Sequence, residues 1–549
     1  MHTIEVVLAM LVAVVASGYL VRVLPFSLPL QLVQIALGAV ISGVFNRGHA
    51  LEPEMFFLLF LPPLLFLEGW RIPKQGLFRD KGAILELAFG LVVFTVIGAA
   101  FLIHWMIPVM PLAVCFALAA IVSPTDPVAV GAITAKVPMP KRLMHILEGE
   151  SLLNDASGLV CFRFAVAAVM TGTFSVATAS MTFVWVAVAG LAAGVAVTFG
   201  VSTFQRWLWR RFGEEPGAAM LVNLLIPFAA YLLAEEINAS GILAAVAAGI
   251  TMSYVELSGR ISGSMRVQRS AVWNMLQFTF NGIMFVLLGE QLPGIVERAM
   301  STMTETGHQS AWWLAVYVVV INLALVALRL LWVWLSLRWN LLRARRRGLE
   351  HSEAPNWRIV VATSVAGVRG AITLAGVLTL PLFLPNGDAF PARDLVIFLA
   401  AAVILFSLIG ASVALPQLLK GLQLPADSSE REEEDLARKL ASKAALSGVE
   451  RMRQNLVLNQ STENVQLYND AAARVSLLYQ RHLEKDNDGP DVDPEKVKRM
   501  ELGYRQLHSA GLNAEREELF RLTRRGVISD EISRRLIRNL DLLESRKRD

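Results

Sequence analysis

The stretch LEGESLLNDASGLV, Leu147 to Val160, sets Glu148, Glu150 and Asp155 in a run that is otherwise apolar or small. An ionised side chain at the centre of a membrane-spanning helix costs at least about 2.5–3.5 kcal/mol, so acids in such a run need a use or a partner. On a helix Ser151 and Asp155 lie one turn apart with Asn154 beside them, whereas Glu150, five positions from Asp155, projects toward a different side. The two acids therefore do different jobs. Asp155 is either neutralised by a structural Lys or Arg or used as an ion or proton site, and its Asn and Ser neighbours favour the second.

Two further strings carry polar groups where apolar ones belong. In AAIVSPTDPVAVGA, Pro124 and Pro127 each remove a backbone donor and clash one turn back, so the helix should break around Thr125 and Asp126. In hydrocarbon an unwound stretch is tolerable only where it is buried in protein or lines a cavity, and its freed carbonyls can then coordinate a cation. In TSVAGVRGAITLAG, Arg369 sits between Gly367 and Gly370 in the middle of an apolar segment. The glycines permit unwinding or close approach, and the buried guanidinium requires a carboxylate or several carbonyls as partners. Glu150 is the candidate.

The elements that must position these residues are membrane helices. Of 549 residues, 55% are hydrophobic and 17% charged, with a mean hydropathy of +0.52, which describes an all-α polytopic membrane protein rather than a soluble one. The net charge of +4 says little, because the distribution of Lys and Arg between loops matters more. Cys115 and Cys161 fall in apolar segments and read as small buried hydrophobes, with no redox or metal chemistry implied. The first apolar run lacks a basic leader and is long enough to span, so it reads as a retained helix.

Apolar segments of spanning length fall at roughly 3–24, 28–45, 53–70, 83–108, 111–135, 142–170, 176–204, 218–236, 239–255, 271–293, 310–337, 357–383 and 393–419, about 13 in all. With the N-terminus outside, the cytoplasmic loops carry Arg22; Arg71, Lys74, Arg79 and Lys81; Lys136, Lys141 and Arg142; Arg206, Arg210 and Arg211; Arg260, Arg266 and Arg269; and the cluster Arg343 to Arg347. The opposite loops hold Arg47, Arg298 and Arg393, and the alternation places the C-terminal tail in the cytoplasm. The membrane part is expected over 1–420. The charged stretch 421–549 reads as a helical tail, capped near Asp427, Ser428 or Ser429 and ending in an amphipathic helix from about Ser529, with a regulatory or packing role.

Segments five and twelve are both interrupted and both carry buried charge. They occupy equivalent positions if segments one to six repeat as eight to thirteen around a connecting seventh, and the repeat is inverted because its halves start on opposite sides. That is the pattern of a secondary transporter whose broken helices meet at the midplane.

The strings SPTDPVAV, EGESLLNDASGLV and GVRGAITLAG, in this order on matching spans, resemble the bacterial cation:proton antiporter-1 family, the sodium/proton exchangers of the NhaP and NHE type. The resemblance extends over the membrane part, including LFLPPLLFLEGW at Leu59 to Trp70 and SGILAAVAAG at Ser240 to Gly249, and to the end of the tail. It implies inverted repeats with crossed broken helices, exchange of Na+ (and Li+) for H+ in pH and sodium homeostasis, and no cofactor beyond the transported ions. It implies a homodimer in the lipid of a bacterial inner membrane, with no nucleic-acid partner. It makes Asp155 the exchanging carboxylate, completed by Asp126, Ser151 and the Thr125 carbonyl, with Asp155 and Asp126 as the carboxylate ligands of Na+. Asn154, Glu150 and Arg369 become a supporting network, while Arg163 and Arg329 have no role given by the family.

The chemistry also follows from the residues. Sodium is a hard cation that needs several oxygens to replace its water, and protons compete for those oxygens. If the protein moves only when the site is neutralised, obligatory exchange results. Asn154 cannot ionise, which together with the resemblance to the electroneutral branch implies one cation for one proton. Potassium/proton exchange is the runner-up. An intramembrane aspartyl protease would also use two acids, but the Gly-x-Gly-Asp pattern is missing and Arg369 would be unexplained, so no enzyme is expected; a channel would need a filter loop that the sequence lacks.

Overall fold

The computed structural model describes residues 2–23, 28–45, 53–72, 81–134, 141–172, 176–213, 215–257, 263–305, 312–346 and 357–420, and in the tail 440, 443–455, 465–466, 469–477, 519 and 521. By its contacts the chain divides into Met1–Gln423 and Leu424–Asp549. In the second unit, Arg453 clasps Glu450 one turn earlier and also reaches Asn469 at 2.8 Å. The expected caps at Asp427 to Ser429, the boundary at 421 and the final amphipathic helix lie outside the described residues, as do the loop residues Lys74, Arg79, Lys136 and Arg347.

The first unit is built from apolar helices, as it must be where no water is present to satisfy backbone groups. In chain order these are α1 (His2–Val23), α2 (Leu30–Phe45), α3 (Pro53–Arg71), α4 (Lys81–Leu85), a π-turn (Glu86–Leu91), α5 (Val92–Met106), α6 (Leu112–Val122), α7 (Pro127–Thr134) and α8 (Lys141–Thr171). Then follow α9 (Val176–Phe212), α10 (Pro216–Glu236), α11 (Gly241–Leu257), α12 (Gly263–Glu305), α13 (Trp312–Arg346), α14 (Trp357–Val365), α15 (Ala371–Leu378) and α16 (Arg393–Leu419). Among the described residues eight stretches are long and apolar enough to cross a membrane, and Leu30–Val44, Leu112–Val122 and Gly241–Glu256 are shorter apolar helices.

Each expected segment coincides with one of these helices or with a broken pair. Two details differ. Helix α12 extends well beyond the apolar 271–293, which brings Arg269 out of its expected loop: it is buried, 2.8 Å from Glu256 and over the Trp70 ring. Segment four is not a plain helix, since the π-turn interrupts it, and its Ala88 carbonyl accepts the Ser157 hydroxyl of α8 at 2.7 Å. As expected, the fifth and twelfth segments are interrupted, each consisting of two half-helices joined by non-helical residues, 123–126 and 366–370.

The helices form two bundles, α1–α3 with α9–α12, and α4–α8 with α13–α16. The repeat is visible in the packing: α2 runs along α12 and α3 along α11, the same pairing under a shift of seven segments. Both contacts depend on reciprocal glycines. A Cβ on Gly38 or Gly289 would collide with a carbonyl of the partner helix, Val286 or Ile35, and one on Gly69 or Gly249 with Val246 or Phe66. The backbones therefore touch directly, as small residues allow in membranes. Gly249→Val should cost about 1–3 kcal/mol through overpacking. It should appear as a lower melting temperature in detergent; an unchanged value would contradict the close approach.

Candidate ion-binding site

The site is made by the two interruptions. Helix α6 stops at Val122, Ser123 to Asp126 run unwound past Pro124, and α7 restarts with Pro127 at its first position, where a missing N–H costs nothing. Helix α14 stops at Val365 and α15 restarts at Ala371 after an extended Gly370. The unwound strands touch: the Asp126 amide donates to the Val368 carbonyl at 2.7 Å. A Cβ on Gly370 would strike the Asp126 carboxylate, so only glycine allows the crossing.

Each broken end meets the opposite charge. Arg369 donates through Nε to the carbonyl of Val122, the last residue of α6, at 2.8 Å, and its guanidinium also donates to the Gly367 carbonyl. Its amide donates to the Ser407 hydroxyl of α16 at 3.2 Å. Arg329 donates through Nε to the Thr363 carbonyl of α14 at 3.1 Å. At the amide ends, Asp126 Oδ1 accepts from Ala129 in the first turn of α7 at 3.4 Å, while the same carboxylate faces Gly370 at the start of α15. Cations at carbonyl ends and an anion at amide ends is the arrangement that helix dipoles favour.

A cavity of about 30 Å³ lies against this crossing, lined by Thr125, Asp126, Ser151 and Asp155 together with Glu68, Asn281 and Thr373. All four residues expected as ligands thus face one space. Asp155, Ser151 and Thr125 are buried and Asp126 is half-buried. Among the described residues neither Asp155 nor Glu68 has an ion-pair partner. The Thr125 hydroxyl donates to Glu150 Oε1 at 3.3 Å and accepts from Asn154 Nδ2 at 3.0 Å.

The supporting network differs from the expectation in one respect. Glu150 is gripped at both oxygens by Arg329, at 2.5 and 2.6 Å, and not by Arg369. Arg369 is drawn instead to the orphaned carbonyl of α6. Arg329 was legible by the argument applied to Arg369, since it too is an arginine in the middle of an apolar segment. The resulting chain, Asn154 to Thr125 to Glu150 to Arg329 to Thr363, ties α8, the first interruption, α13 and α14 together. Arg163 lies away from the cavity, where it pairs with Glu235 of α10 at 3.1 Å.

Glu68 is the residue that sequence reasoning passed over. Its signal was a carboxylate near the end of the apolar run LFLPPLLFLEGW, on a string noted only for its resemblance. It lines both the small cavity and a second one of about 300 Å³ bounded by Arg71, Met144, Glu148 and Gln277. Glu68 and Asn281 come from the first bundle and the other polar groups from the second, so the cavity lies between bundles. Removing one partner of the buried Glu150–Arg329 pair should cost about 3–5 kcal/mol. Arg329→Ala should therefore lower the melting temperature sharply, and Glu150→Gln with Arg329→Met should cost less than the two single losses summed; additive losses would refute the pairing.

Comparison with known proteins agrees with this geometry. The family model described as sodium/hydrogen exchanger, transmembrane, matches residues 8–421. A protein of Escherichia coli named as the uncharacterized Na+/H+ exchanger YjcE is 41% identical over 98% of both chains. A sodium, potassium, lithium and rubidium/H+ antiporter of Bacillus subtilis is 38% identical over 98% of this chain and 77% of its own. Among solved structures, the sodium proton antiporter MjNhaP1 of Methanocaldococcus jannaschii shares the fold with a TM-score of 0.56, at 17% identity, over 77% of this chain and 99% of that one. The crossed half-helices and their carboxylate cavity are therefore those of a multi-pass membrane protein that belongs to the sodium/hydrogen exchanger family, a family of transporters and not of enzymes, working without a cofactor.

Proposed function

We propose that the protein exchanges Na+ for H+ across a bacterial plasma membrane, one for one, with Asp155 taking cation and proton in turn. The observation that carries this reading is the cavity in which Asp155, Asp126, Ser151 and Thr125 converge, with no arginine or lysine among the described residues paired to Asp155. A hard cation replaces its water with these oxygens, and a proton on Asp155 neutralises the same charge. Alternating exposure of the site and a homodimer belong to the same reading, as do an outside N-terminus and a cytoplasmic tail over 421–549, which the loop charges support. A wider alkali-cation range, including K+, is the second reading, favoured by the name of the 38% identical Bacillus relative.

In proteoliposomes with an internal pH dye, Na+, Li+, K+ and Rb+ added in turn should reveal which cations release protons, and Asp155→Asn should abolish every response while remaining folded and inserted. Near-normal exchange by Asp155→Asn would sink the assignment. A net charge crossing the membrane is worth about 2.3 kcal/mol per 100 mV. The sodium gradient balancing a given pH gradient should stay the same at zero and strongly negative potential, and a shift would mean that a further group such as Glu68 carries charge. Truncation at 421 should alter the rate or pH profile but keep the cation order; a truncated protein that inserts well yet prefers a different cation would contradict the modulating role.

A further inference from the structure

Along α8, Glu148 lines the larger cavity, Asp155 lines the small one, and Arg163 follows. At 1.5 Å per residue these positions are spaced by about 10 and 12 Å. The larger cavity and the Arg163–Glu235 ion pair therefore flank the site from opposite ends of one helix.

The pair also joins the two bundles. Glu235 belongs to the first and is rigidly held there: its carboxylate accepts the amide of Gly241 at the start of α11, at 3.3 Å. The turn beneath it is closed by Asn238 N to Glu235 O at 3.0 Å and Ala239 N to Ala234 O at 2.8 Å, with Asn238 in the left-handed region at φ 53. Tyr231, one turn earlier on α10, lies beside both charges. Arg163 belongs to the second bundle, which carries Asp155 and both broken helices.

Exposure separates this pair from Glu150–Arg329, and length separates it from the other pair among the described residues that bridges the bundles, Arg298 of α12 with Asp394 of α16 at 3.6 Å. Glu150–Arg329 is buried on both sides and lies wholly within the second bundle, so nothing in a movement of bundles requires it to break. Arg163 and Glu235 are 51% and 34% exposed. A pair of this exposure biases an equilibrium by up to about fivefold, enough to favour one arrangement and weak enough to release in every cycle.

We infer that Arg163 and Glu235 form a latch between the bundles, which closes the end of the site opposite the larger cavity and must open for the site to face that side. The inference rests on the exchange reading, since only a protein that presents its site to both sides needs such a closure.

The test reads the distance between bundles. With Cys115 and Cys161 replaced by alanine, spin labels on Thr171→Cys at the end of α8 and Ile237→Cys just after α10 report it by pulsed electron resonance in lipid nanodiscs. Arg163→Gln and Glu235→Gln should each enlarge the minor distance population by up to about fivefold, the double variant should do no more than either alone, and the charge swap Arg163→Glu with Glu235→Arg should restore the original distribution. Unchanged distributions in both single variants, or effects that add in the double variant, would overturn the latch. If the single variants fail to insert, the swap decides: restored insertion and distance support the pairing, and failure of both overturns it. The distances require no transported ion, so loss of the latch and loss of the exchange reading are told apart.

Discussion

Two helices stop in the middle of hydrocarbon, and the carbonyls and amides released there must find partners within the protein. The crossing supplies them. Asp126 and Val368 join the unwound strands directly, Arg369 takes the carbonyl end of α6, and Arg329 reaches the carbonyl end of α14. Every other feature of the site depends on this solution. The glycine at 370 is there because the strands approach too closely for a side chain, and the second bundle is organised around keeping them in place.

The same constraint divides the carboxylates between two uses. Glu150 is consumed by Arg329 and locks the network that holds the unwound chain. Asp155, one and a half turns further along α8, faces the cavity with Ser151. An acid fixed by a buried arginine cannot exchange partners readily, because breaking such a pair leaves a charge uncompensated; an acid in a cavity without one can. Position on α8, rather than residue type, decides which acid is locked to an arginine and which faces the cavity.

Much of this was legible in the sequence because it concerns residues whose presence in hydrocarbon is costly. Pro124 and Pro127 dictated the break in segment five, Gly367 and Gly370 that in segment twelve, and Asp155 with Ser151 two of the side chains that line the cavity. What was not legible is pairing. Arg329 and Arg369 are both arginines in apolar segments, and no spacing rule says which one meets Glu150, since the choice depends on where the α6 carbonyls end in space. Glu68 escaped because a carboxylate near the end of a span costs little on its own, and its importance arises only when α3 packs beside the crossing. The π-turn before α5 left no sequence signal either, and the partner of its Ala88 carbonyl, the Ser157 hydroxyl, lies on another helix.

The size of the inner cavity has a consequence for divalent cations. Three carboxylates, Glu68, Asp126 and Asp155, line a space of about 30 Å³, and charge alone would draw Mg2+ into it more strongly than Na+. The 300 Å³ chamber beside it accommodates a hydrated ion, whereas the inner cavity has room for only a water molecule or two. Mg2+ sheds water reluctantly and demands a near-ideal octahedron of oxygens at 2.0–2.1 Å, so the step from the chamber into the inner cavity, where most of the hydration shell must be left behind, costs a divalent ion far more than a monovalent one.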